Sequence, residues 1–142
     1  MNDTITIVSG LPRSGTSLMM KMLVNAGLSP VLDNLRKADT DNLGGYFEYE
    51  KVKDLGKDSS WLKDITSKLI KIISFYLESL PDNLNYRIVF MERNIDEILA
   101  SQKKMLKRRG HTSTEREDAE MKIIFEEHLL KIKSLILSLI HI

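Results

Sequence analysis

Apolar and polar positions change period several times along the chain, and each change predicts an element. Thr4 to Ser9 (TITIVS) is a β-branched run closed by Gly10, which predicts a short buried strand. From Thr16 the spacing turns helical. Leu18, Met22 and Ala26 recur every four residues, as do Met19 and Leu23, and Gly27 stands where a helix C-terminus would end. Residues 33–49, with their Asp and Asn and the pair Gly44-Gly45, predict a loop. A short helix is predicted around Lys51 to Lys63, with Trp61 as its packing anchor. Lys68 to Phe75 (KLIKIISF) and Tyr86 to Glu92 (YRIVFME) predict two more strands, separated by a loop carrying Pro81 and Asn83.

After Arg93 the period lengthens again. Ile95, Ile98, Leu99, Gln102, Met105 and Leu106 trace one face of a helix, and Asn94 with Glu97 forms a capping-box pattern at its start. That helix ends in the basic cluster Lys103, Lys104, Lys107, Arg108 and Arg109 before Gly110. Such a cluster is most simply a solvated helix end complementing the dipole. From Thr114 a further helical pattern runs to the end of the chain. Strands alternating with helices predict parallel βα units, hence one three-layer α/β/α domain around a central parallel sheet over residues 1–142.

Composition narrows the function classes. The 142 residues carry 42% apolar and 29% charged side chains, an ordinary globular balance able to build one core. A net charge of +1 gives no general attraction for nucleic acid or an anionic membrane, so neither is expected as a partner. With no cysteine there is no thiolate metal site and no cysteine nucleophile. The start MNDTITIVSG has no basic stretch ahead of an apolar one, and the apolar tract near the end is broken by Lys131 and Lys133, so a soluble cytoplasmic protein is expected.

The chemistry sits in SGLPRSGTS. A strand, a glycine-bearing turn and a helix N-terminus aim several backbone N–H groups at one point, where the helix dipole adds partial positive charge. Gly10 and Gly15 permit close approach, Ser14, Thr16 and Ser17 add hydroxyls, and Arg13 adds a permanent cation able to fork across two oxygens. A phosphate-sized anion is the natural ligand. A Walker loop would carry lysine where Thr16 stands, which argues against ordinary ATP or GTP hydrolysis.

PRSGTSLM resembles the 5′-phosphosulfate loop of sulfotransferases, above all the form seen in tyrosylprotein and bacterial sulfotransferase-like proteins. In that family the cation sits at the position of Arg13, and threonine at the position of Thr16 is the rule. A second match is RIVFMERNIDEILASQ: the family holds the donor's 3′-phosphate with an arginine ending a central strand and a serine eight residues on, here Arg93 and Ser101. Asp41 to Glu48 (DNLGGYFE) also resembles a stretch of bacterial members, with Leu43 in place of a proline.

The resemblance implies a P-loop NTPase-like fold and a sulfotransferase using 3′-phosphoadenosine 5′-phosphosulfate (PAPS) as donor. The acceptor would be a hydroxyl or amine, the product nucleotide 3′-phosphoadenosine 5′-phosphate (PAP), and no metal would be needed. Arg13 would stabilise charge on the departing phosphate, residues 14–17 (Ser14, Gly15, Thr16 and Ser17) would hold the 5′-phosphate, and Glu48 would be the counterpart of the tyrosylprotein enzymes' base. The histidine of the cytosolic enzymes' Lys-Thr-His strand is missing from Lys71-Ile72-Ile73-Ser74, and a lone strand lysine such as Lys71 reads more simply as snorkelling to solvent. His111, His128 and His141 receive no role. Family members continue beyond this length with another strand, helices and a basic segment, so the resemblance implies a domain shortened at its C-terminus. Leu129, Leu130, Ile132, Leu135, Ile136, Leu137 and Ile140 make the last helix apolar nearly all round, a candidate surface for homo-oligomer formation. Two other readings stand beside this one: a P-loop nucleotide kinase or NTPase, with Ile88 to Glu92 as its Walker B strand, and a non-catalytic nucleotide-binding remnant.

Overall fold

A strand over Thr4–Gly10 (β1) lies between two parallel neighbours, Leu69–Lys71 (β2) and Asn85–Met91 (β3), in the order β2-β1-β3. The structure is a computed structural model and describes residues 3–33 and 46–139. Among the described residues three α-helices accompany the sheet, Thr16–Asn25 (α1), Ile95–Arg108 (α2) and Glu115–Leu139 (α3), with three short 3₁₀ segments, Glu50–Asp54, Ser60–Ile65 and Ser74–Ser79. The chain is therefore mixed α/β with a small parallel sheet.

β1 is buried along nearly its whole length because both faces are covered, the usual condition of a parallel strand. Ile5 and Ile7 pack with Trp61, Leu62, Ile70 and Ile132, whereas Val8 packs with Met20 of α1 and with Leu69. Alternation along the strand thus sorts its side chains into two separate clusters. The register sets Ile7 beside Ile70 on one side and Ile88 on the other.

Helix termini follow local rules. Asn94 Oδ1 accepts the N–H groups of Asp96 and Glu97, closing the start of α2. At the end of α1, Gly27 N–H donates to Val24 C=O and Leu28 N–H to Leu23 C=O, the paired bonds of a Schellman motif, with Gly27 at φ 109°. The same pair closes α2, from Gly110 to Lys107 and from His111 to Leu106.

Two expected elements differ. The single helix over residues 51–63 is two 3₁₀ segments, because Asp58 accepts from both the N–H and hydroxyl of Ser60 and restarts the chain there. Trp61 keeps its anchoring role, its ring packed edge-on to Tyr49 at 5.4 Å and its indole N–H on Asp58 C=O. The strand expected over residues 68–75 pairs only over Leu69–Lys71; the last ladder bond runs from Ile72 N–H to Val8 C=O. Beyond it the chain folds into the 3₁₀ segment at Ser74, whose hydroxyl meets His128 Nε2 at 2.9 Å. A short apolar run has no period that separates a strand from a buried turn. Asp41 to Gly45 of the family-like stretch lies outside the described residues, as do His141 and the last isoleucines.

α3 is covered on one side only. Phe125 and Ile132 are buried, Leu129 packs against Leu11 and Ile98, and the opposite side of the helix faces solvent. His128 lies on the docked side, stacked on Phe75 at 4.0 Å, where burial lowers its pKa from the ordinary 6.5. A histidine that protonates less readily when folded than when unfolded contributes stability above pH 6.5 that is lost as pH falls through the folded pKa. The melting temperature is accordingly expected to fall more steeply below that pH for the natural chain than for His128→Gln. Parallel curves for the two proteins would exclude the effect.

Candidate functional site

The turn between β1 and α1 places Arg13 at φ 66°, in the left-handed region, with Gly15 as N-cap at φ 100°. A non-glycine residue held there costs about 1–3 kcal/mol and persists only where its surroundings over-determine it. The surroundings are visible. Arg13 Nε donates to Ser101 Oγ at 3.0 Å, a guanidinium N–H approaches Met105 Sδ at 3.8 Å, and Arg93 donates to the Arg13 carbonyl at 2.9 Å. Arg93 also lies 3.3 Å from Glu97, an exposed pair of small energetic consequence. Arg13, Arg93 and Ser101, up to 88 residues apart, therefore meet at the loop.

Gly10 is required by packing as well as by its φ of 151°. A Cβ built there would stand 2.5 Å from Ser14 Oγ and 2.8 Å from the Met91 carbonyl oxygen, so β3 can run this close only to a glycine. Ser14 and Thr16 are buried, and the Ser14 hydroxyl has no hydrogen-bond partner among the described residues. The Ser14 N–H closes a turn on Leu11 C=O, which leaves Gly15, Thr16 and Ser17 as the loop's N–H groups at the helix start. α1 has no side-chain cap and no acidic residue in its first turn, whereas α2 begins with Asp96 and Glu97 and α3 with Glu115, Glu117 and Asp118. Negative charge, favourable at any helix start, is not built into this one.

A cavity of about 620 Å³ opens on the loop. Arg13, Thr16, Ser17, Lys71 and Arg93 are among its polar lining residues, with Glu48 and Lys53, and Tyr46, Tyr49, Phe75 and Tyr76 bring rings to the same lining. A lining that combines cations and hydroxyls with aromatic rings suits a ligand with an anionic head and a less polar remainder.

Lys71 corrects its expected place. It is not turned to solvent: it is 7% exposed, and its ammonium donates to Ser17 Oγ at 3.2 Å, while that hydroxyl reaches the Tyr46 carbonyl. Thus β2 delivers across the sheet a cation that the loop itself lacks at Thr16. The signal in the sequence was one lysine inside an otherwise apolar run, but which face it occupies depends on register. Glu48 lines the cavity, and its carbonyl accepts Asp33 N–H at 3.2 Å. The aromatic lining from Phe75 and Tyr76 was hidden, because the strand was expected to run on to Phe75 and Tyr76 was given no element. Glu92, the acid of a Walker B reading, forms a 2.7 Å ion pair with Lys133 of α3.

Among the described residues no cluster of three or more His, Asp or Glu side chains suits a metal ion, and no helix is long and apolar enough to cross a membrane. No family model matches the chain, and no curated protein or solved structure matches it.

Proposed function

We propose that this chain is a sulfotransferase-like domain of the P-loop, three-layer α/β/α kind that binds PAPS and transfers its sulfuryl group to a hydroxyl or amine. The observation that carries the reading is the convergence of Arg13, Arg93 and Ser101 on one glycine loop at the mouth of a cavity. The loop N–H groups, Thr16 and Ser17 would hold the 5′-phosphate, and Arg93 with Ser101 the 3′-phosphate.

In the transfer, the acceptor oxygen or nitrogen attacks sulfur in line. The sulfur–oxygen bond to the 5′-phosphate breaks, PAP leaves with that electron pair, and the acceptor proton passes to Glu48. Arg13 and Lys71 act by charge: both cations face oxygens that become more negative as PAP departs, so they bind the transition state better than the ground state.

Thr16 standing where a Walker loop carries its lysine disfavours the kinase or NTPase alternative. Calorimetry with PAP and, separately, with ATP plus Mg²⁺ tests the assignment. PAP is expected to bind at least tenfold more tightly, about 1.4 kcal/mol. Preference for ATP–Mg²⁺ would overturn the sulfotransferase reading in favour of an NTPase, and binding of neither would overturn it in favour of a non-catalytic remnant that serves partner contact. Arg93→Ala is expected to weaken PAP while leaving adenosine 5′-phosphosulfate, which has no 3′-phosphate, nearly unaffected.

A further inference from the structure

The outer face of α3 carries three large aliphatic side chains in a line. Ile123 is 56% exposed, Leu130 74% and Leu137 72%. Seven-residue spacing moves a position by only about 20° around a straight helix, so the three form a narrow stripe roughly 21 Å long. The stripe lies opposite the docked face, where Phe125 and Ile132 are buried. Isolated exposed leucines need no explanation, but a row of three on a 25-residue helix presents a continuous ridge.

The charges beside the ridge select its partner. Helical spacing puts Glu126 and Lys133 on one flank and Glu127 and Lys131 on the other, all of them exposed. In two helices related by a twofold axis and running antiparallel, each flank meets the same flank of the other copy. Centred on Leu130, this sets Leu130 against itself, Ile123 against Leu137 of the second copy, Glu126 near the second Lys133, and Glu127 near the second Lys131. A parallel pair instead brings unlike flanks together, Glu126 beside Glu127 and Lys133 beside Lys131, with like charges opposed. Lys131 and Lys133 already pair with Glu78 and Glu92 within one copy, and an ammonium has three donors with which to bridge a second carboxylate.

We propose that α3 is a self-association surface on which a second copy of this chain docks antiparallel across Leu130. The inference goes beyond the nucleotide reading and does not depend on it. Antiparallel pairing buries the ridge in the 3-4 packing geometry of long helices and leaves the loop cavity, lined by other elements, unobstructed by α3.

Sedimentation of the full chain across a concentration series tests association, and crosslinking tests its direction. The natural chain is expected to dimerise by about 100 μM, a contact worth roughly 5–6 kcal/mol. Leu130→Glu is expected to weaken the dimer at least tenfold without changing the circular dichroism spectrum. Glu126→Lys is expected to weaken it about fivefold, and Glu126→Lys combined with Lys133→Glu to recover most of the loss. Because the chain has no cysteine, single thiols report geometry cleanly. With a short bis-maleimide, Leu130→Cys crosslinks to itself, and Ile123→Cys crosslinks to Leu137→Cys but not to itself. Self-crosslinking of Ile123→Cys, association indifferent to Leu130→Glu, or a chain that stays monomeric and instead sediments with phosphatidylserine-containing vesicles would each overturn the proposal.

Discussion

Arg13→Gly is expected to reduce PAP affinity about 100-fold while leaving the melting temperature within a few degrees of the natural chain. Two effects separate here. In the proposed complex the guanidinium would make charge-assisted hydrogen bonds to the nucleotide, and removing a cation at that position would cost roughly 3 kcal/mol of binding. Folding loses the bond to Ser101 Oγ, which is worth about 1 kcal/mol. Against that, the backbone at φ 66° relaxes, since glycine adopts the left-handed region without penalty. Calorimetry with PAP and thermal melts of the free protein measure the two sides. A variant that loses stability and affinity together would mean that Arg13 holds the fold rather than the ligand. Arg13→Ala supplies the control, because alanine removes the same charge yet keeps the strained backbone, so it should bind as poorly and melt lower.

Gly10→Ala is expected to have the opposite profile, a large loss of stability that carries binding with it. The added Cβ falls 2.8 Å from the Met91 carbonyl, which belongs to the paired backbone of β3 and cannot turn aside as a side chain can. Ser14 Oγ, at 2.5 Å, can rotate away, so the carbonyl clash and the φ of 151° dominate the cost. Overpacking and backbone strain together amount to about 3 kcal/mol. For a domain of this size that lowers the melting temperature by roughly 10 °C. Calorimetric melts check it. A shift below about 2 °C would show that β1 and β3 separate easily at this end, contrary to their close register.

The two substitutions sit three residues apart and act through different parts of the molecule, and the sequence was informative about them to different degrees. Gly10, Gly15 and the strand before them were legible because a turn is specified by its own residues. So were Asn94 as a cap and Gly27 and Gly110 as helix terminators, each a matter of bonds within five residues. Arg93 and Ser101 were legible as a spacing, but not in what they touch. The structure turns Arg93 onto the Arg13 carbonyl and gives Ser101 the Arg13 side chain. KLIKIISF misled because an apolar run serves a strand and a buried 3₁₀ segment equally well. Only the docking of His128 against Ser74 and Phe75 shows where the strand stops.

By itself, then, the sequence determined the alternation of strands and helices, the parallel α/β class and the glycine-bearing turn between β1 and α1, since propensity, capping and glycine geometry act over a handful of neighbours. The tertiary structure alone decided that Lys71 comes across from β2 to Ser17, that aromatic residues after β2 wall the cavity, and which face of α3 is covered. Those outcomes depend on strand register and on contacts between segments tens of residues apart. A one-residue slip in β2 would turn the lysine to the opposite face while leaving the local pattern unchanged.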